Sequence, residues 1–210
     1  MKKKIALLLA CVMAFGIAVG GTLAWLTAES GSVVNTFTDS DINITLAETK
    51  NDFKMVPGYT IEKDPKVTVA DGSEACWLFV KVTESATPDL DAYISYDIAS
   101  GWQVVEGDKE TDDEFVIGRK VLAADMGKAL DVIGYTENGT FVANKVLVNG
   151  SVTKDMMDEI DGGADQPTLT FIAYASQLMK NNTQEFTAAQ AWANIADANA
   201  NGIPDANETT

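Results

Sequence analysis

The chain has 210 residues, with 31 Asp and Glu against 15 Lys and Arg and no histidine, for a net charge of −16. Such acidity is repelled by nucleic acid and by anionic membrane surfaces. The lack of histidine excludes Ser-His-Asp and Cys-His sites, His-ligated zinc and the His-Glu-x-x-His motif.

The first predicted element is an export signal. Lys2, Lys3 and Lys4 form a positive n-region, and residues 5–19 are an unbroken apolar or Gly h-region. Gly20-Gly21-Thr22-Leu23-Ala24 then puts small residues three and one positions before a cut after Ala24. A cut after Gly20 fits the same pattern through Ala18 and Gly20. Two rival readings exist. No charge falls between Lys4 and Glu29, so the run also has the length of an uncleaved anchor, although Gly16, Gly20, Gly21 and Thr22 dilute its outer end. Leu8-Leu9-Ala10-Cys11 has the look of a lipobox, but too few uncharged residues precede the cysteine to form an h-region. The expected organisation is a signal peptide (1–24), an N-terminal strand segment (25–40), a β-sandwich domain (41–196) and a tail (197–210).

Cleavage after Ala24 leaves 186 residues, enough for one domain with a core. It leaves 12 basic residues against 31 acidic ones, a mature charge of −19. One cysteine remains, Cys76, which rules out an intramolecular disulfide. Within Cys76-Trp77-Leu78-Phe79-Val80 it reads as a small core hydrophobe.

Period-two patterning dominates the rest. Trp25-Leu26 and Val33-Val34-Asn35-Thr36-Phe37 are strand-like, and Ile42, Ile44 and Leu46 alternate with Asn43 and Thr45. Cys76, Leu78, Val80 and Val82 form one face of a longer strand, with Trp77, Phe79 and Lys81 on the other, as in a central strand covered on both sides. Further strands are predicted at 66–70, 92–96, 102–105, 115–117 and 131–135. Glu137-Asn138-Gly139-Thr140 is a hairpin turn returning through 141–148, and 168–175 closes the series. Two helices interrupt it, at 153–160 and 187–196. The second opens with a capping box, Thr187 with Gln190, and a staple residue, Phe186. Ala188, Ala191, Trp192 and Ile195 share one face of it, which predicts packing on a sheet. The predicted fold is an all-β antiparallel sandwich of jelly-roll type, with one or two short helices packed on it.

Carboxylate clusters at Asp112-Asp113-Glu114 and Asp158-Glu159 have no apolar surroundings and read as solvated surface rather than acid–base machinery. No enzyme is expected. Residues 197–208 match the twelve-residue calcium-loop pattern, with oxygen ligands from Asp197, Asn199, Asn201, the Ile203 carbonyl, Asp205 and Glu208, and Gly202 at the sharp turn. Asn201-Gly202-Ile203-Pro204-Asp205 also resembles the calcium loops of thrombospondin type 3 repeats. The other reading of this segment is a polar tail rich in turn formers. Calcium is the one metal predicted, bound in the extracellular millimolar range; zinc is not.

Gly21-Thr22-Leu23-Ala24-Trp25-Leu26-Thr27, Asn35-Thr36-Phe37-Thr38 and Ile42-Asn43-Ile44-Thr45-Leu46 resemble the start of the TasA/camelysin family of secreted Gram-positive proteins. Met55-Val56-Pro57-Gly58 before Lys63-Asp64-Pro65 resembles that family's proline-glycine turn. Thr168-Leu169-Thr170-Phe171, Ala173-Tyr174-Ala175-Ser176-Gln177 and Ala191-Trp192 resemble the C-terminal part of its clostridial members. The resemblance implies processing by a SipW-type signal peptidase and a jelly-roll subunit of extracellular (biofilm) matrix fibres. In such fibres the freed N-terminal segment of one subunit completes the sheet of the next. Here the donor would be residues 25–37, with Trp25, Leu26, Val33, Val34 and Phe37 as plugs. Each is worth about 1.5–3 kcal/mol when fully buried. The partner would be a second copy of the chain, and the membrane would be met only through the uncleaved signal. The protease activity described for camelysin finds no zinc site here.

Two alternatives stay open. Residues 33–37 would pair within their own sandwich, the default for sequential strands. The chain would then be a monomeric, calcium-stabilised cell-envelope module that binds glycan or host protein. That module would need an exposed aromatic cluster, for which Trp77, Trp102 and Trp192 are candidates, although the patterning places Trp77 and Trp192 in the core.

Overall fold

A computed structural model describes residues 41–49, 53–160 and 166–200. In chain order its strands are β1 (Ile44–Ala47), β2 (Thr60–Glu62), β3 (Lys66–Val69), β4 (Cys76–Glu84), β5 (Ile94–Ser95), β6 (Asp97–Ile98) and β7 (Gln103–Glu106). They continue as β8 (Glu114–Val121), β9 (Leu130–Asp131), β10 (Ile133–Glu137), β11 (Thr140–Ala143), β12 (Lys145–Val148), β13 (Leu169–Gln177), β14 (Met179–Asn181) and β15 (Gln184–Glu185). The helices are α1 (Lys154–Ile160) and α2 (Ala188–Ala200).

The apolar run from Cys76 makes β4 the centre of the fold. It pairs antiparallel with β13 on one side, from Cys76↔Gln177 to Glu84↔Leu169, and with β8 on the other. With β7 beyond β8, the sheet order is β13-β4-β8-β7. Because successive side chains of a strand point to opposite faces, β4 serves two cores. Cys76, Leu78, Val80 and Val82 enter the main core, while Trp77 and Phe79 enter a second one beneath α2. Both faces were predicted from the alternation.

The opposing layer is built from three small antiparallel sheets, β1-β3-β9, β2-β12-β5 and β11-β10-β6. Their Val67, Val69, Ile133, Val146 and Val148 pack into the same core as Phe115, Ile117 and Val121 of β8. The chain passes between layers at β3 to β4, β4 to β5, β6 to β7, β8 to β9 and β12 to β13. The result is the antiparallel, jelly-roll-type sandwich read from the sequence, with two short helices.

α2 starts where its capping box was expected. The Gln190 amide N–H donates to Thr187 Oγ1, and Gln190 Oε1 accepts from the Thr187 N–H. Ala191 and Trp192 are buried, and Trp192 lies 5.5 Å from Phe79 and edge-on to Tyr174 at 5.4 Å. α2 runs on to Ala200, four residues past the expected end.

Several predicted strands are shorter or divided. Residues 141–148 split at Asn144, whose φ is 62°, into β11 and β12. Residues 131–135 split at Val132, whose amide bonds the Pro65 carbonyl instead of continuing a ladder. Residues 90–92 form a 3₁₀ turn capped by Asp89, leaving only Ile94–Ser95 as strand from the predicted 92–96. β2, β6, β14 and β15 were not predicted.

Candidate functional site

β1 ends its sheet and β13 ends the large one, so the sandwich has an edge strand of each layer on the same side. A cavity of about 900 Å³ is lined in part by both of them. Leu46 from β1 and Leu169 and Phe171 from β13 form its long walls. Ile61 of β2 and Val146 of β12 line it further, Met157 and Ile160 of α1 close one end, and Phe53 and Met55 overhang it. Each wall follows from a local pattern. Ile44 and Leu46 face inward because β1 alternates, and Leu169, Phe171 and Ala173 do so because β13 alternates. Thr153 opens α1, its hydroxyl accepting from the Met156 N–H.

Lys54 and Lys63 both line the cavity, and of the two Lys63 is the buried one. Lys63 is 7% exposed, and its Nζ donates to Glu48 Oε1 at 2.7 Å. The same ammonium lies over the Phe53 ring at 5.2 Å and the Phe171 ring at 5.4 Å. A desolvated ion pair needs such additional partners to persist. Next to it, the Thr49 amide and hydroxyl donate to Asp64 Oδ1 at 3.0 and 2.9 Å. The Thr49 N–H holds the Asp64 carboxyl below its ordinary value. The two contacts clamp the exit from β1 to the strand-free turn at 63–65, fixing one rim of the groove.

A second polar feature lies at the far end of β4. Glu84, 7% exposed, accepts a hydrogen bond from the buried Tyr96 hydroxyl. Burial pushes the Glu84 carboxyl above its ordinary value, Tyr96 draws it down, and Asp91 and Asp113 push it up again. Burial also raises Asp91, with Lys109 opposing. This acidic pocket, lined also by Asp89, Glu110 and Asp112, is separate from the groove. Among the described residues no group of His, Cys, Asp or Glu is placed to hold a metal ion.

The sequence-predicted sites fall out unevenly. Trp25, Leu26, Val33, Val34 and Phe37 lie outside the described residues, as do the signal peptide and the four calcium candidates Asn201, Ile203, Asp205 and Glu208. Asp197 and Asn199 fall on the helical backbone of α2. Cys76 is buried as expected, and burial pushes its thiol up to about 11. Asp112, Asp113, Glu114, Asp158 and Glu159 are exposed, with Glu114 paired to Lys81 at 2.9 Å and Asp158 to Lys154. Of the three tryptophans considered for an exposed cluster, Trp77 and Trp192 lie in the core as their patterning predicts, and Trp102 is buried as well. Trp77 donates its indole N–H to the Phe186 carbonyl, Trp102 to the Asp131 carbonyl and Trp192 to Glu106. The groove itself was not predicted. Its only trace in the sequence is that 42–46 alternates and that Leu169, Phe171, Ala173 and Ala175 share one face of 168–175.

No protein-family model and no curated protein matches the chain. A solved structure, of a complex between a CaDoc0917 variant and CaCohA2 at pH 5.5, is similar at 12% identity and a TM-score of 0.33. The similarity covers 69% of this chain and 92% of that one, and at this level it carries no argument. No helix among the described residues is long and apolar enough to cross a membrane.

Proposed function

We propose that the protein is a secreted structural subunit of extracellular fibres, assembling by strand donation into the groove bordered by β1 and β13. The carrying observation is that groove: about 900 Å³, lined about equally by apolar side chains such as Leu46, Leu169 and Phe171 and by polar ones, and bordered by two edge strands. An edge strand offers its backbone groups to an added strand, and pockets for alternate side chains give the selectivity. Residues 25–37 supply a matching ligand. They carry five large apolar residues, Trp25, Leu26, Val33, Val34 and Phe37, and a single charge, Glu29. At about 1.5–3 kcal/mol for each plug fully buried, four of them suffice for a lasting contact. The donor comes from a second copy of the chain, and a SipW-type peptidase frees it at the cell surface. The tail at 197–208 binds calcium from Asp197, Asn199, Asn201, Ile203, Asp205 and Glu208, as a stabilising ion rather than a catalytic one. The chain is not an enzyme.

The test is electron microscopy of protein beginning at Trp25, with and without residues 25–37, in calcium and in chelator. Fibres from the longer chain and folded, unassembled protein from the shorter one support strand exchange. A point variant of the longer chain, Leu169→Lys, places a charge on the half-buried rim of the groove; it is expected to stay folded and to abolish fibres. A longer chain that stays monomeric while the truncated one unfolds would assign residues 25–37 to their own sandwich. The monomeric binding-module reading would then replace this one, although its three candidate tryptophans are buried.

A further inference from the structure

Two Asn-Gly dipeptides lie among the described residues, and the fold treats them in opposite ways. Asn138-Gly139 is the whole two-residue loop between β10 and β11, closed by the pair Glu137↔Thr140. Both residues are exposed, with φ of 50° and 78°. Those are the left-handed values a type I′ turn requires, and they select Asn and Gly here. Among the described residues, the Asn138 carboxamide has no hydrogen-bond partner and the Gly139 N–H none on the backbone. A side chain added at Gly139 would meet nothing within 4 Å, so the tip stands clear of the body.

Asn149-Gly150 is held. Asn149 Oδ1 accepts from the Ser95 hydroxyl at 2.6 Å, and its Nδ2 donates to the Asp91 carbonyl at 2.8 Å. The Asn149 N–H in turn donates to the Tyr93 carbonyl at 2.8 Å. The carboxamide therefore stitches the turn after β12 to the 3₁₀ turn and β5, and cannot swing onto its own backbone without losing two hydrogen bonds.

We infer that Asn138 is a site of spontaneous covalent modification in the folded protein, through succinimide formation with Gly139, and that Asn149 is protected. The Gly139 backbone nitrogen attacks Asn138 Cγ. The side-chain amide leaves as ammonia, taking the Gly139 N–H proton, and a five-membered imide closes. Water then opens the ring. Attack at one carbonyl gives aspartate, and attack at the other gives isoaspartate, with the chain running through the former side chain. No redox partner is needed. Glycine matters for a steric reason: without a Cβ its nitrogen is the least hindered attacking amide. Either product adds a negative charge beside Glu137. Isoaspartate also lengthens the backbone of the loop, which the two-residue turn cannot absorb without losing the Glu137↔Thr140 pair.

The test uses the full mature chain aged in mildly alkaline buffer, folded and in urea, then cut at lysine. Cleavage at Lys128, Lys145 and Lys154 puts Asn138 and Asn149 on separate peptides, and mass spectrometry reads exchange of NH₂ for OH in each. In folded protein the Asn138 peptide is expected to convert at least about tenfold faster than the Asn149 peptide, since reaction at Asn149 must first break two hydrogen bonds. In urea the two should convert at comparable rates. Ser95→Ala, at an exposed position, is expected to quicken reaction at Asn149 without changing Asn138. Equal rates in the folded protein would overturn the inference, as would an Asn138 that stays intact there while reacting in urea.

Discussion

The most exposed physical choice at the level of single residues is Glu84, a carboxylate at the end of β4 facing the main core rather than water. Its bond from Tyr96 satisfies one oxygen, yet burial still raises its proton affinity above the ordinary value of 4.5, and Tyr96 is raised with it. The sign of the linkage follows. Between the ordinary and the raised value the folded state holds a proton that the unfolded state has lost, so stability falls as pH rises through that window. Above the window the loss is constant. Wild-type protein is therefore expected to melt at a higher temperature near about pH 5 than near about pH 7. Glu84→Gln keeps an acceptor for Tyr96 and should shrink that difference, as read by thermal unfolding at the two pH values. The remaining difference reports Asp91, also raised, and the general relief of acidic repulsion. The alternation of β4 puts Glu84 on the face of Val80 and Val82, but its partner is not legible locally, because Tyr96 arrives through a 3₁₀ turn and one short strand.

At the level of elements, legibility tracked how local the cause was. β4, β13 and the start of α2 were readable, since a face, a period or a cap is written in adjacent residues. The Asn138-Gly139 turn was readable for the same reason. β2 was not: Thr60-Ile61-Glu62 has no sequence strength, and β12 gives it its ladder from far along the chain. Nor were β14 and β15, polar residues paired across a turn in which Asn181 Oδ1 accepts from the Thr183 and Gln184 amides. The groove was illegible for a related reason, since Leu46, Phe53, Met157 and Phe171 meet only after the sandwich closes. The capping box permits a direct check. Thr187→Ala removes the acceptor for the Gln190 N–H and is expected to cost about 1 kcal/mol, measured by denaturant unfolding. Trp77 and Trp192 fluorescence should report the same loss, because Trp192 projects from α2 into the small core that also holds Trp77.

For the whole molecule, charge opposes association. The net charge is −16, and −19 once a signal ending at Ala24 is removed, so copies repel at low ionic strength. Salt reduces the range of that repulsion to about 10 Å at 0.1 M. If strand donation builds fibres, assembly followed by light scattering should quicken as sodium chloride is raised; an assembly rate that falls with salt would point to a charge-driven contact instead. The long register between β13 and β4 bears on how such a chain would carry load. Ladder hydrogen bonds run across the strands, so a pull along β13 strains the pairs from Leu169↔Glu84 to Gln177↔Cys76 together, in shear. A pull at right angles would instead open them one at a time, like a zip. An edge strand gripped along its length by a neighbour is loaded in the first of these directions, so the same pairing that centres the core would also set its tensile strength.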